Sequence, residues 1–255
     1  MAEPGGLVRR SVTDSGVGLI RLVDPDHRNA LSKEFSDELA ASVQWVLDQQ
    51  ARAIVLSAEP PVFSAGGSLD GLTNREFPLC ALYAGFLAVA DAPVPTIAAV
   101  DGPAVGAGVN LALACDVILV SPAARFDPRF LDLAIHPGGG HLWRLARRIG
   151  GQGVSALVLC GDMLTGAEAV EHGLAWRCVP ADELEALALR FAERAAARPA
   201  ELLRRTKASI ATSMELTRAE DAVALELEAQ QWSVEQPEFA EAVRAVRERL
   251  AARSR

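Results

Sequence analysis

Three short, unbroken apolar runs constrain the fold of this chain more than any other feature. Ala53-Ile54-Val55-Leu56-Ser57, Thr96 to Val100 and Val117 to Val120 have the length and composition of strands buried on both faces. Helical segments lie between them: Leu79 to Ala90, closed by Pro93 and Pro95, and Val109 to Cys115. Strand alternating with helix at this spacing implies an α/β layered core with a largely parallel sheet and right-handed crossovers. Upstream, Leu7 to Val12 and Val17 to Val23 flank Asp14-Ser15-Gly16, which carries the turn chemistry of a hairpin. Ser32 caps a helix to about Gln50, with Phe35, Leu39, Val43, Val46 and Leu47 on one face.

After Gly150 the pattern turns helical. Gly153 to Cys160, Thr165 to His172 (Thr165 as cap), Asp182 to Ala197, Ala200 to Ser213, Thr217 to Gln236 and Pro237 to Ala252 all read as helices. Pro199 and Pro237 stand at helix starts, where a missing N–H costs least. Pro199 marks the expected boundary between a core, residues 1–198, and a helical region, residues 199–255, that packs on the core or on another subunit.

Composition narrows the partners. With 255 residues, half of them hydrophobic, the chain can bury a large core. Its net charge of −8, without a basic cluster carrying interleaved aromatics before the tail, argues against nucleic acid. Ile97 to Val120 comes closest to a membrane span, but Asp101, Pro103, Asn110 and Asp116 interrupt it. Met1 to Val12 has no apolar signal core, so a soluble, cytoplasmic protein is expected. Cys80, Cys115, Cys160 and Cys178 have no CxxC spacing and read as small buried hydrophobes, with no metal or cofactor implied.

Two strand-to-loop junctions carry similar small residues: Leu56-Ser57 leading to Ser64-Ala65-Gly66-Gly67, and Ala98-Ala99-Val100 leading to Gly102 through Asn110. In open α/β sheets ligands bind beyond the carboxyl ends of the strands. Small residues there let backbone N–H groups approach a ligand, and the second junction also opens a helix, whose first turn has orphan donors. Two such donors converging on a carbonyl oxygen would stabilise it as it gains negative charge. Each glycine alone is better explained by a tight turn. Nucleotide binding is disfavoured, because neither GxGxxG nor a Lys-Ser/Thr pair is present.

The ordered strings Arg28-Asn29-Ala30-Leu31-Ser32, Phe63-Ser64-Ala65-Gly66-Gly67-Ser68-Leu69, Pro95 to Gly108 and Leu111-Ala112-Leu113-Ala114-Cys115-Asp116 resemble the crotonase superfamily, the enoyl-CoA hydratase/isomerase family. His136-Pro137-Gly138-Gly139-Gly140, Gly150, Gly161 and Ala167 to Leu174 extend the resemblance, which covers about Leu7 to Val179. It implies a ClpP/crotonase-like spiral of ββα units making nearly perpendicular sheets, with a C-terminal helical segment. It also implies a homotrimer or a dimer of trimers, and an acyl-CoA substrate of fatty acid metabolism rather than a bound cofactor. By this resemblance the backbone N–H groups of Gly67 and Ala107 form the oxyanion hole. Arg28, Ala30, Ala65, Gly66 and Leu69 line the CoA path, and Gly106, Asn110 and Phe130 are further substrate-binding positions.

A hydratase of that family works with two glutamates. Their places hold Asn110 and Phe130, neither of which can take a proton. Asp132 and His136 are the alternative acid–base groups, with Asp127 and His141 behind them. Asp70 reads as a helix-start residue, and Trp143 and Trp176 as core or subunit contacts. The exact reaction stays open between hydratase/isomerase chemistry, another reaction on the same hole (decarboxylation, thioester hydrolysis, dehalogenation) and non-catalytic acyl-CoA binding.

Overall fold

The computed structural model describes residues 6–74 and 77–253; residues 1–5, part of the stretch read as lacking a signal segment, lie outside them. The strands in chain order are β1 (Val8–Val12), β2 (Val17–Leu22), β3 (Ala53–Ala58), β4 (Thr96–Val100), β5 (Pro103–Val105), β6 (Val117–Val120), β7 (Arg125–Asp127), β8 (Leu164–Thr165) and β9 (Arg177–Cys178). The helices of the first unit are α1 (Lys33–Asp48), α2 (Leu69–Asn74), α3 (Ala84–Asp91), α4 (Ala107–Leu113), α5 (His141–Val154), α6 (Gly166–Glu171) and α7 (Ala181–Ala196). A six-stranded sheet has the order β1-β2-β3-β4-β6-β9, and a three-stranded sheet the order β5-β7-β8.

β1 and β2 pair antiparallel around a turn in which Gly16 takes φ 77°. From β2 onward the large sheet is parallel: β2 with β3, β3 with β4, β4 with β6 and β6 with β9. Its continuous apolar runs are explained by two cores, one on each face. Ile20, Leu22, Ile54, Leu56, Ala98, Val100, Ile118 and Val120 pack with Phe35, Leu39 and Val43 of α1 and with Phe86 and Val89 of α3. The alternate residues Val17, Ala53, Val55, Ile97, Ala99 and Leu119 meet Leu184, Leu187, Ala188 and Ala192 of α7. The period of two along each strand thus delivers apolar side chains to both layers.

Local chemistry sets the helix ends. Ser32 accepts from Phe35 N at 3.0 Å and caps α1. Thr165 and Glu168 form a reciprocal capping box on α6.

Several expectations are corrected. The sequence also suggests a turn over Asp101-Gly102-Pro103; Gly102 does turn the chain (φ 82°), but Pro103 begins β5. The segment from Leu79 is first a 3-10 turn, Leu79–Tyr83, and becomes α-helical only at Ala84. Gly153 to Cys160 is not a separate helix. It contains the end of α5 and a π-helical turn, Ser155–Leu159, following a break at Gly150 (φ 70°, ψ 172°). Trp143 and Trp176 are 55% and 64% exposed in this chain, so neither is a core residue. Of the cysteines, Cys115 is buried and Cys178 half-buried, whereas Cys80 and Cys160 are exposed.

The chain divides into two compact units, the second beginning at Ala197. That second unit holds α8 (Ala200–Ser213), α9 (Ala219–Val234) and α10 (Pro237–Arg253). Within it the Arg205 guanidinium lies 4.2 Å over the Trp232 ring. Neither α8 nor α9 has a buried residue, and Ile210, Val223 and Phe239 are exposed. Among the described residues no helix is long and apolar enough to cross a membrane.

Candidate active site

The two glycine junctions meet backbone to backbone. Ser64 bridges Ala104 of β5 in parallel, with Ser64 N donating to Pro103 O (3.1 Å) and Val105 N to Ser64 O (2.9 Å). Three glycines permit this approach. A Cβ on Gly102 would lie 2.4 Å from Pro61 O, and one on Gly108 2.5 Å from Ser64 O. Gly66 has φ 92°, and its Cβ would fall 2.5 Å from Val105 O and 3.3 Å from Ala107 N.

This packing leaves two donors free. Leu31 bridges Gly67 in parallel by donating to Gly66 O (2.7 Å) and accepting from Ser68 N (3.0 Å). In such a bridge the N–H of Gly67 itself points away from the partner strand. Ala107 is the first residue of α4, so its N–H has no acceptor within the helix. Among the described residues neither N–H donates a hydrogen bond, and both residues line one cavity of about 830 Å³.

The sequence-derived candidates largely converge there. Ala30, Ala65, Gly66, Leu69, Gly106, Asn110, Phe130, Asp132 and His136 also border the cavity, as does Asp70 in the first turn of α2. Arg28 does not; it borders a neighbouring hollow of about 280 Å³ with Arg125 and Arg129, beyond Ala65 and Val105. Arg28 and Asn29 both adopt left-handed backbone (φ 55° and 53°). Asn29 holds the turn: its N donates to Asp24 O, its Oδ1 accepts from Asp24 N, and its Nδ2 donates to Val62 O. Asp127 pairs with Arg129 (2.6 Å) beside this hollow. The hollow therefore carries three guanidinium groups against one carboxylate in a chain of net charge −8.

One wall went unread in the sequence. Leu79, Leu82, Tyr83 and Phe86 line the cavity from the 3-10 turn and α3, and Phe130, Leu133 and Ile135 also belong to the lining. The i, i+3, i+4, i+7 spacing of the first four is the signal that marks them as one face.

Asn110 is 1% exposed; its Nδ2 donates to Gly138 O (3.1 Å) and its Oδ1 faces His141 Nδ1 (2.8 Å). The Phe130 ring packs edge-on against His141, centroids 4.9 Å apart. His141 is buried behind this wall, and burial pushes its pKa down to about 4. Asp132 is exposed on a 3-10 turn, Leu131–Leu133. His136 is exposed, with Nδ1 2.7 Å from Pro137 O. A carbonyl only accepts, so Nδ1 carries the hydrogen, and in the neutral imidazole the lone pair is then on Nε2.

The enoyl-CoA hydratase/isomerase family model matches residues 12–253. The chain belongs to that family. It is 42% identical over 247 residues to a Mycobacterium tuberculosis protein described as a probable enoyl-CoA hydratase, covering 92% of this chain and 96% of that one. A Rhizobium meliloti protein of the same description is 36% identical over 212 residues, 82% of each chain. The solved enoyl-CoA hydratase of Mycobacterium smegmatis superposes with a TM-score of 0.88 at 25% identity, covering 96% and 97% of the two chains. That of Bacillus anthracis gives 0.88 at 25% identity, covering 95% and 96%. The mixed α/β architecture is therefore the crotonase fold of this family.

Proposed function

We propose that this family member binds a CoA thioester with the thioester oxygen between the N–H groups of Gly67 and Ala107, and stabilises the enolate formed there. The observation that carries this reading is the pair of unengaged backbone donors on one cavity. When a base removes a proton from the carbon beside the thioester, the electron pair moves onto that oxygen. Donors already oriented toward it lower the barrier by a few kcal/mol each, about 3.

The apolar wall of Leu82, Tyr83, Phe86 and Phe130 suits the acyl chain. The hollow of Arg28, Arg125 and Arg129 suits the phosphates of CoA. Proton transfer is assigned to His136, whose Nε2 would carry the lone pair in the neutral imidazole, with Asp132 as the second candidate on the same cavity lining. Asn110 and Phe130 make simple two-glutamate hydration the less favoured reaction, and they equally support binding without turnover. The protein acts in the cytoplasm, without cofactor, and its exposed C-terminal apolar residues support assembly as a homotrimer or a dimer of trimers.

The test is solvent deuterium exchange into the α-carbon of a saturated acyl-CoA, read by mass spectrometry, beside hydration of crotonyl-CoA and a longer 2-enoyl-CoA. Exchange is expected in the native protein and not in His136→Ala. Full exchange in both His136→Ala and Asp132→Asn would remove these residues as acid–base groups. Failure of every acyl-CoA to bind would overturn the reading itself.

A further inference from the structure

Asn110, which borders the cavity, and His141 form a buried pair that the chemistry above does not use. The Gly138 carbonyl can only accept, so the Asn110 amide nitrogen, 3.1 Å away, is the atom that faces it. The amide oxygen then faces His141, and Nδ1 at 2.8 Å must carry the hydrogen. His141 Nε2 is left with a lone pair and meets no partner among the described residues. Both side chains are 1% exposed.

The surroundings admit little rearrangement. Phe130 packs edge-on against the imidazole. A Cβ on Gly139 would lie 2.5 Å from Phe86 Cζ and 3.3 Å from Asn110 Nδ2, so the turn closes directly over the amide. Arg144 Nη1 donates to Gly139 O (2.6 Å) and braces that turn from the other side.

We infer that His141 is a positioning residue: by donating Nδ1–H to Asn110 Oδ1 it holds the carboxamide with its nitrogen toward the Gly138 turn, so that the cavity wall at Asn110 offers a hydrogen-bond donor and not an acceptor. This rests on the reading of the cavity as a thioester site. A flipped amide would set its oxygen against the Gly138 carbonyl, losing that bond, and its nitrogen against Nδ1–H, a clash relieved only by moving the imidazole hydrogen to Nε2. His141 stays neutral near pH 7, because burial holds its pKa at about 4. A donor-only wall is compatible with negative charge developing on a thioester oxygen nearby, whereas an acceptor would oppose it.

Two variants separate positioning from packing. His141→Asn can place an amide N–H near the position of Nδ1, whereas His141→Leu fills space without a donor. Nitrogen-15 NMR of the full chain at pH 7 is expected to show His141 with Nδ1 protonated and Nε2 bare. Calorimetry with hexanoyl-CoA is expected to show about tenfold weaker binding in His141→Leu and within about twofold of native in His141→Asn, with free CoA unchanged in both, as the loss of one positioned hydrogen bond implies. A protonated Nε2, or native hexanoyl-CoA affinity in His141→Leu, would overturn the inference. A merely structural histidine would lower the stability of both variants and leave the hexanoyl-CoA to CoA affinity ratio unmoved. If hexanoyl-CoA fails to bind the native protein, the thioester reading falls, while the NMR result still decides the tautomer.

Discussion

Gly66 concentrates the requirements of the site in one residue. Its φ of 92° suits glycine, and a Cβ there would meet backbone rather than a side chain that can move aside. Gly66→Ala is expected to cost on the order of 2–4 kcal/mol, seen in urea unfolding, together with loss of acyl-CoA affinity, since the strain falls between the two donors. His141 gives a pH dependence whose sign follows from its burial. Its folded pKa, about 4, lies below the ordinary 6.5, so between those values the unfolded chain binds the proton and the folded chain does not. The contribution is complete above about pH 6.5 and is lost as pH falls toward 4, on the order of 3 kcal/mol in all. Native protein should lose stability over that window, and His141→Asn should lose this part of the slope. The glycines were legible in the sequence as loop formers. The Asn110–His141 pair was not, because the two residues stand 31 positions apart and only the Gly138 turn brings them together.

Among the elements, α1 does more than cover the sheet. Ser36, fully buried, donates to Leu82 O (3.0 Å) and accepts from Gly85 N (2.8 Å), tying the helix to the 3-10 turn and α3 that wall the cavity. Ser36→Ala leaves both backbone groups unpaired in the core and is expected to cost about 1–3 kcal/mol. Loss of the Ser32 cap, by Ser32→Ala, should cost about 1 kcal/mol. Thermal unfolding of the two variants compares them directly, and only Ser36→Ala should also weaken acyl-CoA binding. The strands β1, β2, β3, β4 and β6 of the large sheet were readable because each carries four to six apolar or alternating residues, whereas its edge strand β9 has two and was not read. β5, β7 and β8 have three, three and two residues, too few to show a period, and they take their conformation from pairing with one another.

At the scale of the molecule, the two glycine loops meet beside the six-stranded sheet with a core on each face, an arrangement that the sequence carried only through the family resemblance. The arginine hollow was less visible, since Arg28 and the pair Arg125 and Arg129 come from segments about a hundred residues apart. Exposed apolar residues of α8, α9 and α10 are the surface on which the proposed assembly would rest. Light scattering is expected to give the mass of three or six chains; a monomer at micromolar concentration would contradict that assembly.

The central claim concerns where one oxygen sits. A crystal structure with a bound acyl-CoA tests it most directly. If Gly67 and Ala107 are the donors, the thioester oxygen will lie about 3 Å from both backbone nitrogens, with the CoA phosphates toward Arg28, Arg125 and Arg129. A thioester oxygen held by other groups, with both N–H donors still unengaged, would contradict it.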